Sequence, residues 1–271
     1  MQDGQTYRLE RVRGAAQVTL SHRAGAVRLD ELGQQGSAKA FLPRVHGPVP
    51  EVVFLNTAGG LTGGDRLSYR LSAGAGAVVT GTTQTAERIY SSTGDLAEVE
   101  VHLLAEAGAR LHWLPQETIL FDRARLVRNT RADLAGDAEL LLVETLVLGR
   151  AAMGEEVRSL HLLDRREVWR DGHPVFLEPL RLGDHSQGRA ALIGAHRAIA
   201  TLALLACGAE DAVGPLRAAL GGIDGVEAGV SGWDGRCIVR LAAERPAALR
   251  QALRVAMEAV RGAPLPRVWQ L

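Results

Sequence analysis

The sequence predicts a mainly β protein, with many strands in stacked or mixed sheets and about two helices near the C-terminus. Three observations lead to this fold class. Short segments with alternating apolar and polar residues recur from residue 15 to residue 182, and Gly-rich or Asp-Gly turns separate them. Two segments after residue 209 carry apolar residues at helical spacing. No apolar run approaches the roughly 20 residues that a membrane helix needs. We expect residues 1–271 to form one large domain.

The net charge of this chain does not indicate a strongly charged partner. Lys and Arg total 31, as do Asp and Glu, so the formal net charge is zero. A nucleic acid or an anionic membrane is therefore not an expected partner. The two cysteines lie far apart at Cys207 and Cys237, and the N-terminus lacks the basic and apolar regions of a signal peptide. We expect a reduced, cytoplasmic protein.

The first two thirds of the chain carries the strand pattern. In 99–103 the alternation is strict and places Glu98, Glu100 and His102 on one face, which is typical of a half-exposed antiparallel sheet. The segment 80–92 is rich in hydroxyls and amides, which indicates a solvent-facing or shared polar surface, because burying such groups unpaired costs about 1–3 kcal/mol each. The predicted strands are 16–20, 26–29, 38–42, 52–55, 67–71, 77–83, 97–104, 109–114, 126–134 and 140–148.

The last third mixes strands and helices. Arg170-Asp171-Gly172 predicts a tight hairpin turn, since Asp-Gly supplies the required positive φ values. Residues 190–206 favour two strands. Helices are predicted over 210–220, where Pro215 is a weakness, and over 246–260, which Gly262 ends. Strands at 226–230 and 236–241 lie between them. The helix 246–260 and the tail to Trp269 are a candidate partner-facing region, although a Trp packed into its own domain is the commoner outcome.

The segment 56–67 contains two Gly pairs, which indicates special backbone between two strands. A phosphate-binding loop needs Lys and then Ser or Thr after its last Gly, whereas Asp65 and Arg66 follow here, and no helix comes next. A tight connection shaped by Asp65 and Arg66 is the favoured interpretation. The alternative is a hydrolase or nucleotide-binding enzyme that uses the loop from Gly59 to Gly64. The structural motif comprises Gly59, Gly60, Gly63 and Gly64.

Single carboxylates stand in apolar or hydroxyl-rich strands, and together they indicate a polar interior or interface. Glu144 interrupts an almost continuous apolar run, so it needs a cationic partner, either Arg150 or another Arg. The eight histidines form no pair at metal-ligand spacing, and neither a Gly-x-Ser-x-Gly elbow nor a cysteine nucleophile signature occurs. Each carboxylate alone is more often structural than functional. The set is Asp65, Glu87, Glu117, Asp122 and Glu144.

The order of four motifs resembles the urease accessory protein family UreD, also called UreH. They are Asn-Thr-Ala-Gly-Gly-Leu-Thr-Gly-Gly-Asp at 56–65, Thr-Thr-Gln-Thr-Ala-Glu-Arg-Ile-Tyr at 82–90, Leu-Pro-Gln-Glu-Thr-Ile-Leu-Phe-Asp at 114–122 and Leu-Gly-Arg-Ala-Ala-Met-Gly-Glu at 148–155. Pro-Arg-Val-Trp at 266–269 resembles the end of that family. The resemblance extends over essentially the whole chain.

This resemblance implies a mainly β, non-enzymatic chaperone for urease. Members bind apo-urease and UreF, which recruits the nickel-carrying GTPase UreG, and together they insert nickel into the urease active site. The resemblance also implies an internal nickel route, with nickel in transit and no tightly bound cofactor. Oxygen ligands that bind weakly suit such a route. We therefore expect Asp65, Glu87, Glu117, Asp122 and Glu144 to line or support it.

Overall fold

The computed structural model describes residues 10–44, 49–184 and 193–270, and within them two sheets stack face to face. The first sheet has seven strands, which are β1 (Arg13–Arg23), β2 (Ala26–Gly36), β5 (Arg66–Ala73), β8 (Ala97–Ala105), β11 (Ala124–Leu134), β13 (Leu160–Arg170) and β14 (His173–Leu182). Their order across the sheet is β14-β13-β11-β8-β5-β1-β2.

The second sheet has ten strands, which are β3 (Ala38–Phe41), β4 (Glu51–Asn56), β6 (Val78–Thr83), β7 (Glu87–Ile89), β9 (Arg110–Leu114), β10 (Thr118–Leu120), β12 (Glu139–Leu148), β15 (Ala198–Leu205), β16 (Val226–Trp233) and β17 (Arg236–Ala243). Eight of them follow the order β16-β17-β15-β12-β9-β6-β4-β3, while β10 pairs with β12 and β7. The predicted mainly β class is confirmed.

The chain coils between the sheets from β4 to β13. It alternates from one sheet to the other, so neighbouring strands within each sheet run parallel, as β5, β8, β11 and β13 do. The antiparallel arrangement predicted for 99–103 is therefore wrong. The alternation itself is observed, because only one face of the seven-stranded sheet packs against the second sheet while the other meets solvent. Exposure on one face does not fix strand direction when each connection passes through the other sheet.

Two apolar layers follow from the alternation along the strands. The inner layer lies between the sheets and includes Leu126, Leu142, Leu146 and Leu162. The outer layer lies between the ten-stranded sheet and two helices, α1 (Val213–Leu220) and α2 (Pro246–Arg261). In β12, Leu142 and Leu146 therefore face inward while the intervening odd-numbered residues face the helices. By the same alternation, the side chain of Glu144 points between the sheets.

The helices and strands of the last third of the chain match most of the predictions made for them. Asp171 and Gly172 have φ values of 49° and 79° in the β13–β14 hairpin. Helix α2 fits its prediction, whereas α1 begins at Val213 after a 3₁₀ turn, which places Pro215 in the first helical turn where its missing amide costs nothing. Residues 193–206 hold one strand, β15, rather than two strands, because a turn occupies 193–195; residues 190–192 lie outside the described ranges.

The C-terminal tail packs against the body of the protein. Trp269 is 1% exposed, and its indole nitrogen donates a hydrogen bond to the Leu114 carbonyl at 2.9 Å. Trp269 therefore packs into its own domain, which is the commoner outcome named from the sequence, and a partner-facing role of the helix 246–260 and the tail stays a prediction. In the described part of the chain, no helix is long and apolar enough to cross a membrane.

Candidate functional site

The glycine loop is held by its own backbone and by Asp65. The Asp65 carboxylate is 3% exposed and accepts hydrogen bonds from the Val12 and Thr62 amides, both at 2.7 Å. A side chain at Gly60 or Gly63 would collide with neighbouring atoms at 2.4 and 2.2 Å. Loop amides that already have internal acceptors are those of Ala58, Gly59, Leu61, Thr62, Gly64 and Asp65.

These contacts decide what the loop does. A phosphate cradle needs several backbone amides pointing at one ligand. Here these amides are engaged within the loop and with the carbonyls of Arg88 in β7 and of Leu96 just before β8. The geometry gives no support to the nucleotide-binding alternative.

Two of the other sequence-predicted carboxylates lie away from the interior. Asp122 accepts hydrogen bonds from the Arg158 and Ser159 amides at 2.7 and 3.0 Å, and the Ser159 amide is the main cause of its lowered pKa. Glu117 lies on the helix side of the ten-stranded sheet, 3.2 Å from Arg250 of α2. Both carboxylates fix local structure.

Glu87 and Glu144 line the same space. This inner cavity has a volume of about 70 Å³ and reaches the surface beside Gly59 and Arg88. Asn56 donates to the Glu87 carboxylate at 3.2 Å. Burial nevertheless raises the pKa of Glu87 to about 7, so its hydrogen bonds and the nearby positive charge offset only part of the desolvation of its carboxylate. The cavity is lined by Asn56, Tyr69, Glu87, Trp113, Arg128 and Glu144, among others.

Glu144 has a partner on the opposite sheet. Arg128 of β11 reaches it with Nη1 at 2.7 Å, and the two side chains are 6% and 3% exposed. Of the two candidates named from the sequence, Arg150 is therefore wrong, since it pairs with Glu155 at 2.8 Å. Burial raises the pKa of Glu144 above its ordinary range, and the charge of Arg128 only partly offsets this.

The pair belongs to a band of charges that crosses the apolar layer and is buried except at its outer end, which we call the polar band. Arg128 also contacts Asp164 of β13 through Nε and Nη2, at 2.9 and 2.7 Å. Asp164 is fully buried and also accepts from Arg166 at 2.8 Å. Burial alone would raise the pKa of Asp164, but the charges and hydrogen bonds of the two arginines outweigh it and lower the pKa to about 2.

The polar band continues to the edge of the sandwich. Arg166 donates to Glu178 of β14 at 2.6 Å, and Glu178 accepts from Arg240 of β17 at 2.6 Å. Arg240 thus links the two sheets a second time. The polar band comprises Arg128, Glu144, Asp164, Arg166, Glu178 and Arg240, three carboxylates and three guanidiniums.

A second space opens beside this end of the polar band. The edge cavity has a volume of about 590 Å³ and lies between the edge strands β14 and β16. It reaches the surface near Glu227 and Gly229. Glu144 lines this cavity and also the inner cavity. The edge cavity is lined by Glu144, Arg166, Glu178, Thr201, Glu227 and Arg240, among others.

Five charged residues of the polar band escaped the sequence interpretation, although a signal was present for three of them. In β11 every second residue from Ala124 onward is apolar except Arg128 and Thr130. In β13 every second residue from Leu160 to Val168 is apolar except Asp164 and Arg166. Arg128 is directly opposite Asp164 in the parallel register, and Thr130 is opposite Arg166. Charged residues at buried positions of two adjacent strands would have identified the polar band.

The acidic groups of the interior stand singly. The described ranges hold no group of three or more His, Cys, Asp or Glu side chains that could enclose a metal ion. Oxygen ligands are present singly at Glu87 and Glu144, and the second of these already has a guanidinium partner.

Comparison with known proteins gives one consistent result. The family model described as "UreD urease accessory protein" matches residues 12–270. The urease accessory protein UreD of Cereibacter sphaeroides is 54% identical over 265 residues, covering 97% of this chain and 96% of that protein. The Dinoroseobacter shibae protein of the same name is 52% identical, covering 99% and 96%. That of a Jannaschia species is 49% identical over the full length of both chains.

Proposed function

The chain belongs to the UreD family of urease accessory proteins, and we propose from this membership that it is a maturation factor that performs no chemistry itself. It acts as a chaperone that binds apo-urease and UreF. UreF brings the GTPase UreG, and GTP-dependent nickel insertion into the urease active site follows. The compartment is the cytoplasm, and neither nucleic acid nor membrane is a partner.

The interior provides a route for nickel. The observation that carries this part of the proposal is that Glu144 lines both cavities, which open at different places on the surface. Glu87 and Glu144 supply oxygen ligands along the route. Nickel is the cargo, so its binding must be weak enough for release, and isolated carboxylates meet that requirement.

The three remaining carboxylates support the walls of the route. Asp65 fixes the glycine loop at the mouth of the inner cavity by accepting two amide hydrogen bonds. Asp122 orders the loop around residue 158 in the same way. Glu117 ties helix α2 to the second sheet through Arg250. Substitution of these carboxylates would act through local structure rather than through the chemistry of the route, and Glu117, which lines neither cavity, would matter least.

Co-expression tests the proposal. The chain is produced with UreF, UreG and the urease subunits, and complexes are isolated by affinity purification before urease activity is measured with nickel. We expect co-purification, together with activity that depends on this chain. Full activity without the chain, or failure to bind both UreF and apo-urease in every combination, would refute the maturation role.

A further inference from the structure

The guanidinium of Arg128 divides its contacts unequally. Nε and Nη2 form a two-point contact with the carboxylate of Asp164, at 2.9 and 2.7 Å. Only Nη1 reaches across to Glu144, at 2.7 Å, and the same nitrogen donates to the Thr118 hydroxyl at 3.0 Å. Asp164 and Arg128 lie on neighbouring strands of one sheet, whereas Glu144 lies on the other sheet.

This division makes one contact exchangeable. If the Glu144 carboxylate turns away from Nη1, the rigid guanidinium of Arg128 keeps its two-point contact with Asp164 and its bond to Thr118, so the charge of Arg128 stays compensated. Asp164 has a second cation in Arg166, whereas among the described ion pairs Glu144 has Arg128 alone. Among the described ion pairs, Glu144 is therefore the carboxylate of the polar band whose charge depends on one cation, and a divalent ion that replaced Nη1 would restore its compensation.

The contact between Arg128 and Glu144 also lies where the two cavities meet the same side chain. Glu144 is the residue that the walls of the inner cavity and the edge cavity have in common. Arg128 lines the inner cavity and crosses to Glu144 there, so the ion pair stands between the two spaces. On the proposed route, a cation moving from one cavity to the other would pass this pair.

We propose that Arg128 is the gate of the route, a resident cation on Glu144 that a divalent ion must displace. The proposal rests on the proposed function for the identity of the ion. Arg128 is a positioning residue: it touches the carboxylate that receives the ion. While Arg128 occupies Glu144, nickel binding there is suppressed by competition and by repulsion between the two cations at short range. Removing the guanidinium should turn a passing point into a retaining site.

Nickel binding by the full chain tests the gate. Equilibrium dialysis with nickel chloride compares wild type, Arg128→Gln, Glu144→Gln and the double variant Arg128→Gln/Glu144→Gln. We expect Arg128→Gln to gain a saturable site with an affinity roughly tenfold or more above that of wild type, because one competing buried cation is gone. The double variant should lose that gain, and Glu144→Gln alone should match wild type.

A matched control separates the gate from a general change of charge. Arg131 lies on the same strand and pairs with Asp133 at 2.7 Å, with both side chains 44% exposed. Arg131→Gln removes the same charge outside the route and should leave nickel binding unchanged. A gain in Arg128→Gln that persists in the double variant, or no gain in a folded Arg128→Gln protein, would overturn the proposal.

A second variant covers the case in which Arg128→Gln does not fold. Arg128→Gln/Asp164→Asn removes a buried cation and a buried anion together, which is tolerated better than removing one partner. Arg166 keeps Glu178 in this variant. The same Glu144-dependent gain of nickel binding is expected, and its absence would count against the gate. Because the readout is binding by this chain alone, a failed gate leaves the urease activation assay unaffected, and failed activation leaves the binding result intact.

Discussion

The substitution Asp164→Asn should be among the most destabilising isosteric changes in the protein. It removes one negative charge from a fully buried site where Arg128 and Arg166 both donate. The pKa of Asp164 falls from an ordinary value of 3.8 to about 2, a difference equivalent to about 2.5 kcal/mol. Breaking a buried ion pair on one side typically costs about 3–5 kcal/mol. We therefore expect a loss of about 3 kcal/mol, measured by urea denaturation.

The exposed pair of Arg131 and Asp133 supplies the control, since Asp133→Asn makes the same chemical change on a neighbouring strand. Its expected cost is below about 1 kcal/mol. The pKa of Asp164 is depressed in the folded state, so its contribution is present above the unfolded value of 3.8 and disappears as the pH falls through about 2. The two stability curves of wild type and Asp164→Asn should converge in that window. Equal costs for Asp164→Asn and Asp133→Asn would refute the reasoning.

Three further outcomes follow from the geometry. The pKa of Glu87 is raised from 4.5 to about 7, so the free energy of unfolding of the wild type should fall by up to about 3 kcal/mol as the pH rises between those values. Glu87→Gln should remove this fall in pH-dependent denaturation curves. An unchanged curve would contradict the assignment. Gly63→Ala places a methyl group 2.2 Å from a side-chain oxygen and should destabilise the protein by about 1–3 kcal/mol, measured by thermal denaturation. Gly94→Ala places its methyl group with no atom within 4 Å and should cost little in that assay. Trp269→Phe removes the hydrogen bond to the Leu114 carbonyl and should cost about 1 kcal/mol; a neutral result would mean that the tail is not held by this bond.

Sequence patterns predicted the strands well because alternation records burial directly. The β8 alternation around Val99 and Val101 matched the buried face of the strand. Strand direction was not encoded in the same way. Parallel strands in this fold arise from a chain that passes through the second sheet on every coil, and that path depends on contacts between residues far apart in sequence. The pattern of apolar and polar residues within one strand therefore does not indicate the direction of the neighbouring strand.

The candidate site was predictable in part for a similar reason. Glu144 stood out because a single charge interrupts an apolar run, and a cationic partner was the correct physical requirement. The partner was Arg128 rather than Arg150 because strand register, not sequence distance, brings side chains together across a sandwich. Asp65 and Asp122 looked similar in sequence, but each accepts backbone amides in a loop instead of lining a cavity.

The most direct test of the account replaces one carboxylate inside the route and one outside it. Glu144→Gln and Glu117→Gln are each co-expressed with UreF, UreG and the urease subunits, and the nickel content and activity of the purified urease are measured beside complex formation. Glu144 lines both cavities, whereas Glu117 pairs with Arg250 on the helix side of the second sheet. We predict that both variants assemble and that Glu144→Gln alone lowers nickel content and activity. Full activation by a Glu144→Gln protein that assembles normally would contradict the internal nickel route.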